Sequence, residues 1–173
     1  MTDGPPPADR AAILDVLARF AHGIDGRDWP LYRSVFTDDI DVDYTSYRPG
    51  SRGRMPADDW VDRARRLFPG LDATQHVLVN AWLRPDDDAV RVQTSMRADH
   101  FLDGARYTLG GHYVHRLVPA AGGWLISAVT LTVTWEEGDR GMLGRAADAV
   151  AARCPALVGG RGPPSTPSTC PLT

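Results

Sequence analysis

The chain has 173 residues, 43% of them hydrophobic, and a formal charge of −3, which is the size of one domain with one core. No apolar run approaches the roughly 18 residues of a membrane span, and the acidic balance with scattered arginines offers no basic stripe to a nucleic-acid backbone. All 19 basic residues are arginine, so a chain without lysine excludes Schiff-base catalysis, lysine-bound pyridoxal phosphate and the P-loop lysine.

Residues 1–7 are acidic and Pro-rich, without the charged and apolar regions of an export signal, which predicts a flexible start and a cytoplasmic protein. Over residues 8–24, Ile13, Leu17, Phe20 and Ile24 recur at helical spacing and predict an amphipathic helix with Asp25 at its end. Gly26 breaks it, and Asp28 and Pro30 open a second helix over 29–36. Residues 40–47 alternate as a half-buried strand with Tyr44 pointing inward. A third helix over 56–68 begins with Pro56, Asp58 and Asp59 and stops at Pro69 and Gly70. Four long strands follow, 74–83, 89–101, 106–118 and 124–135, joined by short Gly, Pro or Asp turns as an antiparallel meander. Residues 142–150 suit a short helix. The Gly-, Pro-, Ser- and Thr-rich tail over 151–173 reads as disordered. The expected fold is α+β: one domain over 8–150, a cone-shaped half-barrel of curved, mostly antiparallel sheet whose helices close a pocket.

Chemistry concentrates at a few positions. His76 shares a strand face with Leu78 and Trp82, and His100 shares one with Val90, Val92, Met96 and Ala98, so both imidazoles point where apolar side chains point. Burial disfavours the imidazolium and a nearby carboxylate favours it, which can set such a group near neutral pH as an acid or base. A core histidine bonded to backbone is the alternative for each. Asp25 lies at the flank of the apolar helix stripe, either reaching inward or serving as a turn carboxylate beside Arg27. His112 and His115 have opposite facings, and His22 is expected outside. No spacing matches a Cys/His or HExxH metal motif, so no metal is expected. Cys154 and Cys170, both placed beyond the core, suggest neither a disulfide framework nor a thiol nucleophile. Trp82, Met96 and Phe36 would give the pocket walls suited to a flat aromatic molecule. Gly110 and Gly111 mark a bulge or bend in their strand.

The run Asp25-Gly26-Arg27-Asp28-Trp29, the strand Val42-Asp43-Tyr44, the triplet Thr74-Gln75-His76, the late-strand His100 and Gly123-Trp124 together resemble the scytalone dehydratase and SnoaL-like branch of the nuclear-transport-factor-2-like superfamily. The resemblance covers residues 13–139. It implies cofactor-free dehydratase, isomerase or cyclase chemistry on an aromatic or polyketide-type small molecule. It also implies that Asp25 orients a catalytic His100, that His76 is the second imidazole, and that the Tyr44 phenol polarises a carbonyl. The dehydratase pattern carries Tyr immediately before the Asp, where this chain has Ile24, and Tyr113 stands near the position of a substrate-contacting amide. Two alternatives accompany this reading. One is a cyclase or isomerase using Tyr44, His100 and Glu136; the other is a non-catalytic oligomerisation subunit. The outer sheet face of such a half-barrel needs covering, so a homotrimer or homodimer is expected.

Overall fold

The computed structural model describes residues 7–155. Helix α1 spans Pro7–Asp25 and buries the predicted stripe of Ile13, Leu17, Phe20 and Ile24, together with Val16, each at most 5% exposed. Helix α2, Trp29–Ser34, is capped by the Asp28 carboxylate, which accepts from the Leu31 amide at 2.9 Å, with Pro30 in its first turn. Strand β1, Phe36–Asp43, and strand β2, Arg52–Pro56, form an antiparallel pair. Helix α3, Ala57–Arg65, leads to a 3-10 turn, Phe68–Gly70. Strands β3 (Ala73–Asp86), β4 (Ala89–Leu102), β5 (Ala105–Ala120) and β6 (Gly123–Gly138) precede helix α4, Met142–Arg153.

The six strands lie in the order β2-β1-β6-β5-β4-β3. Only the β1–β6 pair is parallel, so the sheet is mostly antiparallel, as the turn chemistry between the long strands requires. It curves without closing, and β2 and β3 remain edges. The Gly110/Gly111 register shift between β5 and β6 is the bend that these glycines announced. The core fills the concave side, between α1 and the inward residues of β4, β5 and β6, among them Val92, Met96, Leu117, Ile126 and Val129.

Several elements differ from the sequence reading. The first strand begins at Phe36 and ends before Tyr44, because the second helix stops at Ser34 and Phe36 enters the ladder opposite Ile126. Strand β2 has no apolar alternation, and four of its five residues are exposed; backbone pairing at the sheet edge forms it, so side-chain patterning could not announce it. Helix α4, expected over 142–150, runs to Arg153 and packs over the 3-10 turn. A Cβ on Gly70 would stand 2.1 Å from the Ala146 carbonyl oxygen, so only glycine permits this approach. Cys154, at the end of α4, is buried instead of lying beyond the core.

Trp82 corrects the facing argument on β3. The pairing runs Val79 to Ser95 and then Trp82 to Gln93, so Asn80 and Ala81 together face Thr94. Asn80 takes up the extra residue at φ 56. The alternation that holds from Thr74 to Leu78 is thereby inverted beyond it. Trp82 turns outward at 57% exposure, stacked under Arg84 at 4.3 Å, and Leu83 turns inward. Of the segments expected to be unstructured, residues 1–6 and 156–173 lie outside the described residues. No helix among the described residues is long and apolar enough to cross a membrane.

Candidate active site

Asp25 is the last residue of α1, and the chain immediately after it is fixed by Arg27. The Arg27 guanidinium donates to the Asp25 carbonyl at 3.0 Å and to the carbonyls of Phe68 and Leu71 at 3.1 and 2.8 Å, tying the end of α1 to the 3-10 turn. The Asp25 carboxylate is left free of Arg27 and reaches the start of β3. Its Oδ1 accepts from the Thr74 hydroxyl at 2.9 Å and lies 2.6 Å from His76 Nδ1, while Oδ2 accepts from the His76 amide at 2.7 Å. Burial alone would raise the Asp25 pKa. The side-chain bond and charge of His76, with its amide and the Thr74 hydroxyl, outweigh that and hold the carboxyl below its ordinary value.

An ionised Asp25 assigns the proton of a neutral His76 to Nδ1, which leaves the Nε2 lone pair as the basic site. The His76 side chain is 5% exposed. The ring of His100 stands 5.8 Å from it, nearly perpendicular at 82°. Phe68, from the 3-10 turn, packs at 5.8 Å from His76 and 6.1 Å from His100. Burial first, and then the neighbouring His76, push His100 down to about 4, against the opposing effects of the Tyr107 backbone, Asp25 and Asp99. His100 is therefore a neutral imidazole at physiological pH, and its Nδ1 has no hydrogen-bond partner.

This corrects the assignment drawn from the resemblance. The carboxylate orients His76, not His100, because β3 is the edge strand beside the end of α1 and His100 lies one strand further in.

A second polar cluster lies on the concave side. Tyr44, just past the end of β1, points inward, and its hydroxyl is 3.4 Å from that of Tyr113. Trp60 of α3 packs edge-on to Tyr44 at 5.0 Å and donates to the Tyr32 hydroxyl at 3.0 Å. Burial pushes Tyr113 up to about 12, with the Asp25 and Tyr47 charges adding to it, so both phenols of the pair are protonated donors near neutral pH.

Between α1 and β3 runs a groove of about 750 Å³, not a sealed cavity. Asp25 and His76 stand at one end, Leu14, Leu17, Ala18 and Ala21 form the α1 wall, and Thr94 lies at the end away from Asp25. Of the remaining predicted residues, Met96 is buried on the wall that carries His100. Phe36 is core, edge-on to Phe20 and Tyr32. Glu136 faces Arg140 at 3.4 Å, with no hydrogen bond to Tyr44 or His100. His22 is exposed, and His115 is inward where His112 is not.

Sequence reasoning passed over Thr74 and Phe68. Thr74 stood in the quoted triplet and shares the His76 face, so its facing was available. Phe68 was read as the end of a helix, and the 3-10 turn packs it against both imidazoles.

The sequence pattern of the SnoaL-like domain matches residues 7–130. The chain belongs to that family. The chain is similar to scytalone dehydratase arp1 of Aspergillus fumigatus, 27% identical over 144 residues that cover 75% of this chain and 84% of that one. It is also similar to the dehydratase GME11372 of Pestalotiopsis microspora, 28% identical over 104 residues. That alignment covers 58% of this chain and 65% of the dehydratase, so it spans less than two thirds of the relative's length. Among solved structures, the Kfla4162 protein of Kribbella flavida superposes with a TM-score of 0.73 at 29% identity, covering 80% of this SnoaL-like chain and 97% of its own.

Proposed function

We propose that this SnoaL-like protein is a cofactor-independent dehydratase acting on an aromatic or polyketide-type small molecule, with ring closure by the same proton traffic as a related outcome. The observation that carries this reading is the 2.6 Å contact of Asp25 with His76 Nδ1, which exposes Nε2 as a base beside a groove. The two relatives named as dehydratases support it.

In the proposed step, His76 Nε2 takes the proton from the carbon next to a carbonyl. The C–H electron pair becomes the enolate, whose oxygen accepts hydrogen bonds from Tyr44 and Tyr113. The enolate then re-forms the carbonyl as the new C=C forms and the β C–O bond breaks. The departing oxygen takes the proton back from the His76 imidazolium and leaves as water, so the protein ends as it began. Asp25 stabilises the imidazolium while it exists, and the neutral His100 ring packs edge-on beside it.

Thermal-shift screening with aromatic polyketides finds ligands, since saturation at about 100 Kd adds roughly 2.7 kcal/mol. Bound candidates are then assayed for loss of one water. His76→Ala is expected to lose about 10² to 10⁴-fold in turnover with the fold retained. Turnover at the wild-type rate in that variant would remove His76 from the reaction.

A further inference from the structure

The inward wall that carries His100 also holds two polar side chains with nothing to bond. Thr94 of β4 is 1% exposed and its hydroxyl has no partner; His115 of β5 is fully buried and neither ring nitrogen has one. Thr94 pairs with Tyr113, and Val92 pairs with His115, so Thr94 and His115 are diagonal neighbours on one face, about 7 Å apart. Around His115 stand Phe20 at 5.1 Å and Tyr113 at 5.2 Å, aromatic faces against which the imidazole makes no hydrogen bond. Unpartnered buried donors and acceptors destabilise a fold, and an aliphatic residue would fill either position without that cost. Thr94 lines the groove, at the end remote from Asp25.

We propose that Thr94, backed by His115, is a polar subsite that receives a hydroxyl or carbonyl oxygen at the end of the substrate away from the reacting carbon. The register gives its reach. His76 pairs with Ala98, and Thr94 lies four residues further along β4, about 13 Å at the rise of a strand. A hydrogen bond of about 2.8 Å at each end leaves about 8 Å between the two substrate oxygens. Leu78 and Ala81 of β3 and Leu14, Leu17 and Ala18 of α1 line the groove between them, so the middle of the molecule is hydrocarbon. Thr94 and His115 change no bond; they select and position. The inference rests on the reading that the groove takes an aromatic substrate, and it adds where the second oxygen sits.

The test compares two rigid probes on the full chain by calorimetry: 2-naphthol, with one oxygen, and 2,6-dihydroxynaphthalene, with oxygens at opposite ends. Wild type is expected to bind the diol more tightly. Thr94→Val is expected to lose about tenfold for the diol and nothing for 2-naphthol, and Thr94→Ser, which keeps the hydroxyl, to restore the preference. Equal losses for both probes, or none for either, would overturn the subsite. So would a Thr94→Val variant that melts below wild type, since that hydroxyl would then be satisfied inside the protein. Wild type that binds 2-naphthol but favours the diol no further defeats the subsite alone; wild type that binds neither defeats the aromatic reading of the groove and the subsite with it.

Discussion

Asp25 holds His76 from two directions, one carboxylate oxygen on the ring nitrogen at 2.6 Å and the other on the backbone amide at 2.7 Å. The helix end and the edge strand are thus locked together by the same group that sets the imidazole tautomer. Asp25→Asn keeps the shape but puts an amide where three donors converge. The expected result is a mixed tautomer at His76, read as a change in its ring nitrogen NMR shifts, with turnover lower by about 10² to 10⁴-fold. Unchanged nitrogen shifts would mean that the carboxylate does not set the tautomer.

The buried histidines give the protein an acid sensitivity that begins above the carboxylate range. His100 is pushed down to about 4 by burial and by His76, and His115 to about 3 by burial, whereas both titrate near about 6.5 when unfolded. Between those values the unfolded chain binds more protons than the folded one. Their contribution is complete above about pH 6.5 and is lost as pH falls towards the folded values, at about 1.4 kcal/mol per pH unit for each histidine. Urea unfolding from about pH 7 to 5 measures the slope. His115→Leu is expected to halve it, and a flat profile would mean that these imidazoles are not neutral and buried. Asp25, held low, adds a further loss only below the ordinary carboxylate range.

Gly70 links stability to the site. A side chain there meets the Ala146 backbone at 2.1 Å and must push α4 away from the turn that carries Phe68. Gly70→Ala is expected to cost about 1 to 3 kcal/mol in chemical unfolding. It should also disturb the ring-current shifts of His76 and His100, which both pack on Phe68. A loss of stability with unmoved histidine signals would separate the two effects.

Tyr44 lies outside any strand, so its placement depends on how its turn is pinned. The Ser46 hydroxyl donates to the Leu131 carbonyl at 2.7 Å and accepts from the Val133 amide at 3.0 Å, and Arg140 donates to the Tyr47 carbonyl at 2.6 Å while covering its ring at 4.2 Å. Ser46→Ala is expected to lower kcat by about tenfold through misplacement of the phenol, with KM and the circular dichroism spectrum unchanged. A KM effect alone would assign the turn to binding.

Much of this was legible from periodicity. The α1 stripe, the four long strands and the inward facing of His76 and His100 all follow from spacings of three to four or of two. What escaped was set by backbone events that leave no side-chain pattern. Edge pairing made β2, and a bulge at Asn80 turned Trp82 outward. Which histidine receives Asp25 depended on the lateral order of strands, a tertiary fact that facing alone cannot supply.

The irregularity at Asn80 and Ala81 sits opposite Thr94, which lines the groove. Because the ladder is in register on both sides of it, the surplus residue can be removed without re-phasing either half. A one-residue deletion there would straighten β3 beside Thr94 while leaving the pairing of His76 with Ala98 unchanged. The surplus residue is thus a local irregularity of the groove wall, separable from the Asp25–His76 pair.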